Sequence, residues 1–96
     1  MIIKRVNYPQ LKTFRTFMKL HDFILVLYLA EDHYEAWIEN RREVKLAGPN
    51  GVLVGVSRTE SGAISDLLVQ LNSQEWVVKG GLALEMPKFD PMEVVL

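Results

Sequence analysis

A run of apolar residues from Phe23 to Ala30 limits the folds open to this chain more than any other feature. The run has eight residues and lies between Asp22 and Glu31, whereas a helix needs about 20 apolar residues to span a bilayer. Leucine, aromatic and β-branched residues without a polar interruption are typical of a strand that is covered on both faces. We therefore expect a buried central strand here and no membrane anchor.

The next residues predict a second strand that pairs with the first in a β-hairpin. Residues 31–33 supply an acidic turn, and residues 34–39 then alternate between two sets of side chains. The inward set is Tyr34, Ala36 and Ile38, and the outward set is Glu35, Trp37 and Glu39. Period two is the pattern of a strand with one buried face. It places Trp37 outward as a candidate binding anchor, although cover by the N-terminal helix or by a second subunit is an open alternative.

Basic residues follow the second strand closely. We expect the strand to bend at residues 40–42, to continue through Val44 and Leu46, and to reach a turn at residues 48–51. The residues that form a candidate recognition patch for an acidic partner are Trp37, Arg41, Arg42 and Lys45. Solvated charges at a strand end are the alternative interpretation.

Residues 52–73 predict a strand followed by a helix. Val52–Val56 forms the third strand, and Thr59 is the best N-cap of the helix, with Glu60 well placed for the helix dipole. The apolar stripe of the helix is Ala63, Ile64, Leu67, Leu68 and Leu71, and its water-facing residues are Ser65, Asp66, Gln70 and Asn72. A stripe with this spacing covers one face of a sheet. The helix is expected to end at Asn72-Ser73.

The first 21 residues carry five basic side chains and no acidic one, which leaves six basic and twelve acidic residues for the rest of the chain. Tyr8-Pro9 begins a predicted basic amphipathic helix over residues 9–20, for which a strand is the alternative. Its apolar side chains are Leu11, Phe14, Phe17 and Met18, and its basic side chains are Lys12, Arg15 and Lys19. The basic face is a second candidate contact surface for phosphates or an acidic protein. Docking of the apolar face on the negatively charged body is the preferred alternative.

Together these elements predict an α+β fold. An antiparallel sheet of three to four strands packs against one main helix in the order βββα(β), and the short basic helix precedes it. Short strands are expected at Glu75–Val78 and Leu82–Met86. One domain over residues 1–96 fits this length. Its parts are a basic N-terminal segment (1–21), an α+β core (22–87) and an irregular tail (88–96).

Composition narrows the classes of function. The chain has no cysteine, which excludes disulfides, thiolate metal sites and cysteine nucleophiles and favours a cytoplasmic location. The sequence shows no export signal. It also shows no nucleophile, base and orienting group at a recognisable spacing, so we expect neither an enzyme nor a cofactor. The densest polar cluster is Glu31, Asp32, His33 and Glu35. A divalent metal is one interpretation of this cluster, but solvation of a hairpin tip explains it as well, so we expect no metal site.

Gly55, Thr59 and Ala63 mark the corner between the third strand and the helix. With the apolar strand and the acidic turn, they make residues 23–71 resemble the N-terminal domain of HicB-type antitoxins and related small phage proteins with a double-stranded-RNA-binding-domain-like fold. The resemblance implies a small, self-associating module that contacts another macromolecule. It does not imply a repressor, because the residues after Asn72 are too few and too rich in Gly and Pro for the antitoxins' DNA-binding module.

The sequence favours a non-enzymatic interaction module as the function. We expect a phage- or prophage-type accessory protein, dimeric, that binds and modulates a host protein and possesses no membrane partner. The residues expected to contact the partner are Trp37, Arg41, Arg42, Lys45, Lys12, Arg15 and Lys19. The alternative is a nucleic-acid-binding module that uses the basic N-terminal segment. A net charge of −1 and the lack of a long basic face weigh against that alternative.

Overall fold

The apolar run forms an inner strand of the first of two four-stranded antiparallel sheets. The computed structural model describes residues 1–6, 12–48, 51–73, 76–79 and 82–85. In chain order the elements are β1 (Ile2–Val6), α1 (Lys12–Leu20), β2 (Ile24–Leu29), β3 (Tyr34–Glu39), β4 (Ala47–Gly48), β5 (Gly51–Val52), β6 (Gly55–Ser57), α2 (Glu60–Asn72), β7 (Trp76–Lys79) and β8 (Leu82–Glu85). The first sheet has the strand order β1-β2-β3-β6, and the second has the order β5-β4-β7-β8.

Antiparallel pairing of β2 with β3 determines which side chains share a face of the first sheet. Leu25 lies opposite Ile38, and Val26 lies opposite Trp37. The first pair belongs to the main core cluster, and alternation along each strand puts the second pair on the opposite face. Both the hairpin and the inward positions of Tyr34, Ala36 and Ile38 are confirmed.

Helix α2 packs on the core face of this sheet. Its N-cap Thr59 accepts a hydrogen bond from the backbone N–H of Gly62 at 3.0 Å, and the helix ends at Asn72-Ser73 as predicted. The buried side chains of the helix are the predicted stripe, Ala63, Ile64, Leu67, Leu68 and Leu71. A glycine is required where β6 meets α2, because a Cβ on Gly55 would lie 2.0 Å from the carbonyl oxygen of Ala63.

Side chains of α2 also cover the outer edge of β6. The backbone N–H of Val56 donates to Oδ2 of Asp66 at 2.8 Å, and Nε2 of Gln70 donates to the carbonyl oxygen of Val54 at 2.6 Å. Gln70 donates to Asp66 as well, at 3.1 Å. The sequence predicted that Asp66 and Gln70 face water; they are partly exposed, and in addition they satisfy backbone groups that have no neighbouring strand on that side.

The N-terminal segment differs from its prediction. The chain opens with β1, which the sequence pattern did not predict, and β1 pairs antiparallel with β2. The basic helix predicted over residues 9–20 is not confirmed over that range, because residues 7–11 lie outside the described residues; the structure has α1 at Lys12–Leu20. Phe14, Phe17 and Met18 of α1 are buried in the same core cluster as α2 and β2. The apolar face of α1 therefore docks on the core.

The chain reverses direction after β3, so the prediction that this strand continues through Val44 and Leu46 is wrong. Glu39 and Lys45 form an antiparallel bridge, and the backbone N–H of Leu46 donates to the carbonyl oxygen of Ile38 at 2.8 Å. A tight turn at residues 40–44 separates the two arms. The predicted third strand, Val52–Val56, is likewise divided between β5 and β6.

An α+β fold with an antiparallel sheet packed against α2 is confirmed. Strands β7 and β8 lie where short strands were predicted, and the predicted tail at 88–96 lies outside the described residues. None of the helices in the described ranges is long and apolar enough to cross a membrane.

Candidate functional site

Trp37 is buried, which rules out an exposed binding anchor and agrees with the open alternative that its ring is covered. Its side chain is on the face predicted by the alternation, but that face is covered too: Trp37 is 7 % exposed and its strand neighbour Val26 is 0 % exposed. The indole ring packs against Tyr28 at 5.8 Å between centroids, and Nζ of Lys45 lies 4.2 Å from the ring centre. Within the described residues its indole N–H has no hydrogen-bond acceptor. Trp37 is therefore held by packing and by the Lys45 ammonium group, and it presents no exposed indole to a partner.

A groove lies at the open end of the β2–β3 hairpin, where the chain enters β2 and leaves β3. Pairing of Ile24 with Glu39 brings these two chain segments together. The groove has a volume of about 370 Å³ and is open to solvent. The described residues that line it are His21, Asp22, Asn40, Arg41 and Arg42. We call it the arginine groove. The structure therefore places predicted residues Arg41 and Arg42 together, with three residues that the sequence analysis did not assign to a site.

Asn40 shapes the turn that carries both arginines. Its Oδ1 accepts hydrogen bonds from the backbone N–H groups of Arg42 at 2.9 Å and of Val44 at 3.0 Å. Its backbone N–H donates to the carbonyl oxygen of Val44 at 3.1 Å. An asparagine side chain that bonds the backbone two residues ahead is a common way to form a tight turn. The turn is thus held by local hydrogen bonds, and both arginines belong to it.

Arg5 ties the same turn to β1. Its Nη1 lies 3.2 Å from Oε1 of Glu39, and its Nη2 lies 3.2 Å from Oε1 of Glu43. The Glu39 side chain is 5 % exposed, and a buried carboxylate needs a charged or hydrogen-bonding partner. Arg5, from the basic N-terminal segment, therefore forms ion pairs with two acidic residues of the α+β core, Glu39 and Glu43.

Arg41 and Arg42 differ in what they contact. Nε of Arg41 lies 2.6 Å from Oδ2 of Asp22, in a pair whose side chains are 79 % and 60 % exposed. Arg42 is also exposed, and its side chain forms no ion pair with any described residue. Asp22 has a φ of 58°, a left-handed conformation that asparagine and aspartate adopt more readily than other non-glycine residues.

Helix α1 leads directly into the groove through His21. The His21 ring packs between Phe17, at 5.0 Å, and Phe23, at 5.8 Å between ring centroids. On the helix itself, Arg15 and Lys19 are exposed and lie one turn apart on the same side. Lys12 is the third basic residue of this segment that was predicted to contact a partner, and its side chain is not among those that the structure describes.

The other end of the hairpin carries the acidic turn, residues 31–33. Nδ1 of His33 lies 2.8 Å from Oδ1 of Asp32, and Nε2 lies 2.9 Å from Oε2 of Glu35. Hydrogen bonds to Asp32 and then to Glu35 raise the pKa of His33, and the hydrogen bond and charge of His33 lower the pKa of Asp32. Across the described part of the chain, no three His, Asp or Glu side chains are arranged to hold a metal ion.

The arginine groove has the chemistry of an anion-recognition site. A guanidinium group presents up to five N–H donors in a plane that fits carboxylate and phosphate oxygens. Protein-family models, curated proteins and solved structures were all compared with this chain, and none of them matches it.

Proposed function

We propose that the protein is a non-enzymatic interaction module that binds and modulates a host protein through the arginine groove. The observation that supports this most is Arg42, an exposed guanidinium in the groove that forms no ion pair with a described residue. Beside it, Arg41 already holds the carboxylate of Asp22. Two adjacent arginines on a structured turn are suited to acidic side chains on the surface of another protein.

Exposed apolar side chains lie close in sequence to the groove residues, and we expect them to add to the affinity of this region for a partner. Leu20, which precedes His21, is 75 % exposed, and Val44, in the Asn40 turn, is 46 % exposed. Complete burial of such a side chain contributes about 1.5–3 kcal/mol, whereas exposed charge pairs contribute about 0.2–1 kcal/mol. We expect the arginines to orient the partner and the apolar residues to supply most of the affinity.

The proposal includes a phage- or prophage-type origin and a homodimer. The origin rests on the resemblance of residues 23–71 to HicB-type antitoxin domains. Self-association is supported by the same resemblance and by β1, an edge strand on which Ile2 and Ile3 are exposed, since open edges favour strand pairing. Light scattering during size-exclusion chromatography should give the mass of two chains, and the mass of one chain at every concentration would rule the dimer out.

Capture of partners from host lysate tests the main proposal. We expect immobilised wild-type protein to retain one host protein with or without nuclease treatment, and Arg42→Ala to retain at least about fivefold less of it. Arg58→Ala is the matched control, because Arg58 is an exposed arginine outside the groove. Equal retention by wild type and Arg42→Ala would show that the groove is not the binding surface.

A nucleic-acid-binding module is the second candidate, favoured by one observation. Arg15 and Lys19 form an exposed basic pair on α1, and α1 runs into the groove at His21. For this candidate, retention of partners should collapse after nuclease treatment. Affinity for an oligonucleotide should also fall steeply with salt and fall again in Arg15→Ala. An oligonucleotide that does not bind at low salt removes this candidate.

A further inference from the structure

We propose that Arg41 is the carboxylate-binding position of the arginine groove and that Asp22 occupies this position until an Asp or Glu side chain of the partner displaces it. The inference rests on the proposed function and specifies its ligand chemistry and its regulation. Asp22 would act as a built-in competitor that lowers the affinity of the free groove for acidic groups. The partner segment must therefore offer enough additional contacts to exchange with it.

The geometry of the pair supports displacement. Nε of Arg41 and Oδ2 of Asp22 lie 2.6 Å apart, so the guanidinium demonstrably accommodates a carboxylate at this place. Both side chains are more than half exposed, and exposed ion pairs are only weakly stabilising because water competes for both groups. A carboxylate from another molecule can therefore replace Asp22 at little cost.

The charges of the groove favour a carboxylate over a phosphate. Among the described lining residues, the two arginines and one aspartate, Arg41, Arg42 and Asp22, give a formal charge of +1. A single carboxylate balances that charge. A phosphate dianion carries one more negative charge than a carboxylate, so the carboxylate of the displaced Asp22 repels it more strongly. A volume of about 370 Å³ is near the lower limit for ligand pockets, which suits one or two side chains.

The backbone conformation of Asp22 allows a substitution that removes its charge with little other change. Asp22 has a φ of 58°, and asparagine is the residue that shares this tolerance of the left-handed region most closely. Asp22→Asn therefore removes the competing charge while keeping the backbone preference and the size of the side chain. Glu31→Gln, in the exposed acidic turn, is the matched control, because it removes one negative charge at the other end of the hairpin.

The test measures binding of a fluorescein-labelled hexaglutamate peptide by fluorescence polarisation at low salt, with inorganic phosphate and free glutamate as competitors in parallel. We expect Asp22→Asn to bind hexaglutamate about fivefold more tightly than wild type, which corresponds to about 1 kcal/mol. Glu31→Gln should change affinity less than about twofold. In an Arg41→Ala background the gain from Asp22→Asn should disappear, because the position that Asp22 blocks no longer exists.

Three results would overturn the inference. These are no binding of hexaglutamate, an equal gain from Glu31→Gln and Asp22→Asn, or a gain that persists in the Arg41→Ala background. Displacement of hexaglutamate by phosphate at lower concentration than by free glutamate would also reject the preference for carboxylates. Failure here leaves the proposed function standing if a host protein is still captured through Arg42. If Arg42→Ala affects neither hexaglutamate nor the captured protein, both the inference and the proposed function fail.

Discussion

The ion pairs at the two ends of the β2–β3 hairpin differ in the basic group that they use, an imidazole at one end and guanidinium groups at the other. At the acidic turn one histidine, His33, contacts two carboxylates, those of Asp32 and Glu35. At the arginine groove one carboxylate, that of Asp22, contacts Arg41. Imidazole loses its charge near neutral pH, whereas guanidinium stays charged throughout the accessible range. The hairpin therefore has an imidazole ion pair at its acidic turn and a guanidinium ion pair at its groove end.

Deletion of residues 1–17 should have the largest effect and should abolish both ends together. It removes β1 with Arg5, and it removes Phe14 and Phe17, which are 0 % and 4 % exposed. Loss of a buried phenylalanine side chain costs about 3–5 kcal/mol, so the loss of two approaches the whole stability of a small domain, about 5–15 kcal/mol. Circular dichroism should show no cooperative melting. Arg15→Ala, an exposed residue of the same helix, is the control, and a deletion variant that melts cooperatively contradicts the prediction.

Arg5→Ala should come next and should affect the groove end alone. The buried carboxylate of Glu39 loses its partner, and Glu43 in the turn loses its own, for a destabilisation of about 2 kcal/mol. Urea unfolding measures the free energy of unfolding, and amide exchange locates the change. We expect faster exchange at Leu46, beside the turn, and unchanged exchange at Ala30, beside the acidic turn. Comparable acceleration at both amides would mean that the ends are not independent.

The acidic turn should respond to pH through His33 and Asp32. Because the pKa of His33 is raised, its contribution to stability is complete below its ordinary pKa of 6.5 and is lost as the pH rises through the raised value. Because the pKa of Asp32 is lowered, its contribution is present above its ordinary pKa of 3.8 and is lost as the pH falls through the lowered value. The turn is thus held most firmly between these two limits.

An NMR titration of the His33 ring checks this. Asp32→Asn should lower the pKa of His33 more than Glu35→Gln does, since the hydrogen bond to Asp32 is the larger cause of the increase. The amide of Ala30, which donates to the carbonyl oxygen of His33 at 2.9 Å, should titrate with the ring. A His33 pKa at its ordinary value, unmoved by either variant, would remove the distinction between the two ends.

Asp22→Asn should have the smallest effect on stability. Its pair with Arg41 is exposed, so the free energy of unfolding should fall by no more than about 1 kcal/mol. A larger loss in urea unfolding would mean that the pair is a structural element of the hairpin, which is difficult to reconcile with its displacement by a ligand.

Local patterns were sufficient to predict the hairpin and α2. The alternation at residues 34–39 and the stripe from Ala63 to Leu71 reflect the periods of a strand and a helix, and both are visible within a dozen residues. The N-cap at Thr59 is equally local. These predictions are confirmed because the residues that determine each of these elements lie within the element itself.

Contacts between distant residues were not predictable in the same way. Arg41 and Asp22 are far apart in the sequence and meet only because Ile24 pairs with Glu39. The alternation correctly assigned Trp37 to the second face, but no periodicity states whether a face is covered, and this one is. Strand β1 depends on pairing with β2 across α1. Asn40 was a local signal of the turn, since asparagine favours tight turns; the sequence analysis expected a bend at residues 40–42 but not the reversal of the chain that forms the groove.

The contact of Asp66 and Gln70 with β6 has a consequence for how the protein behaves at high concentration. Their side chains occupy the N–H of Val56 and the carbonyl oxygen of Val54, which an incoming strand would need as its first attachment points. Helix α2 thus hinders the pairing of a further strand with β6, which protects this edge of the sheet against fibril-like assembly. Strand β1, at the opposite edge of the sheet, has exposed Ile2 and Ile3 instead. Addition of further strands to this first sheet is therefore directed to its β1 edge.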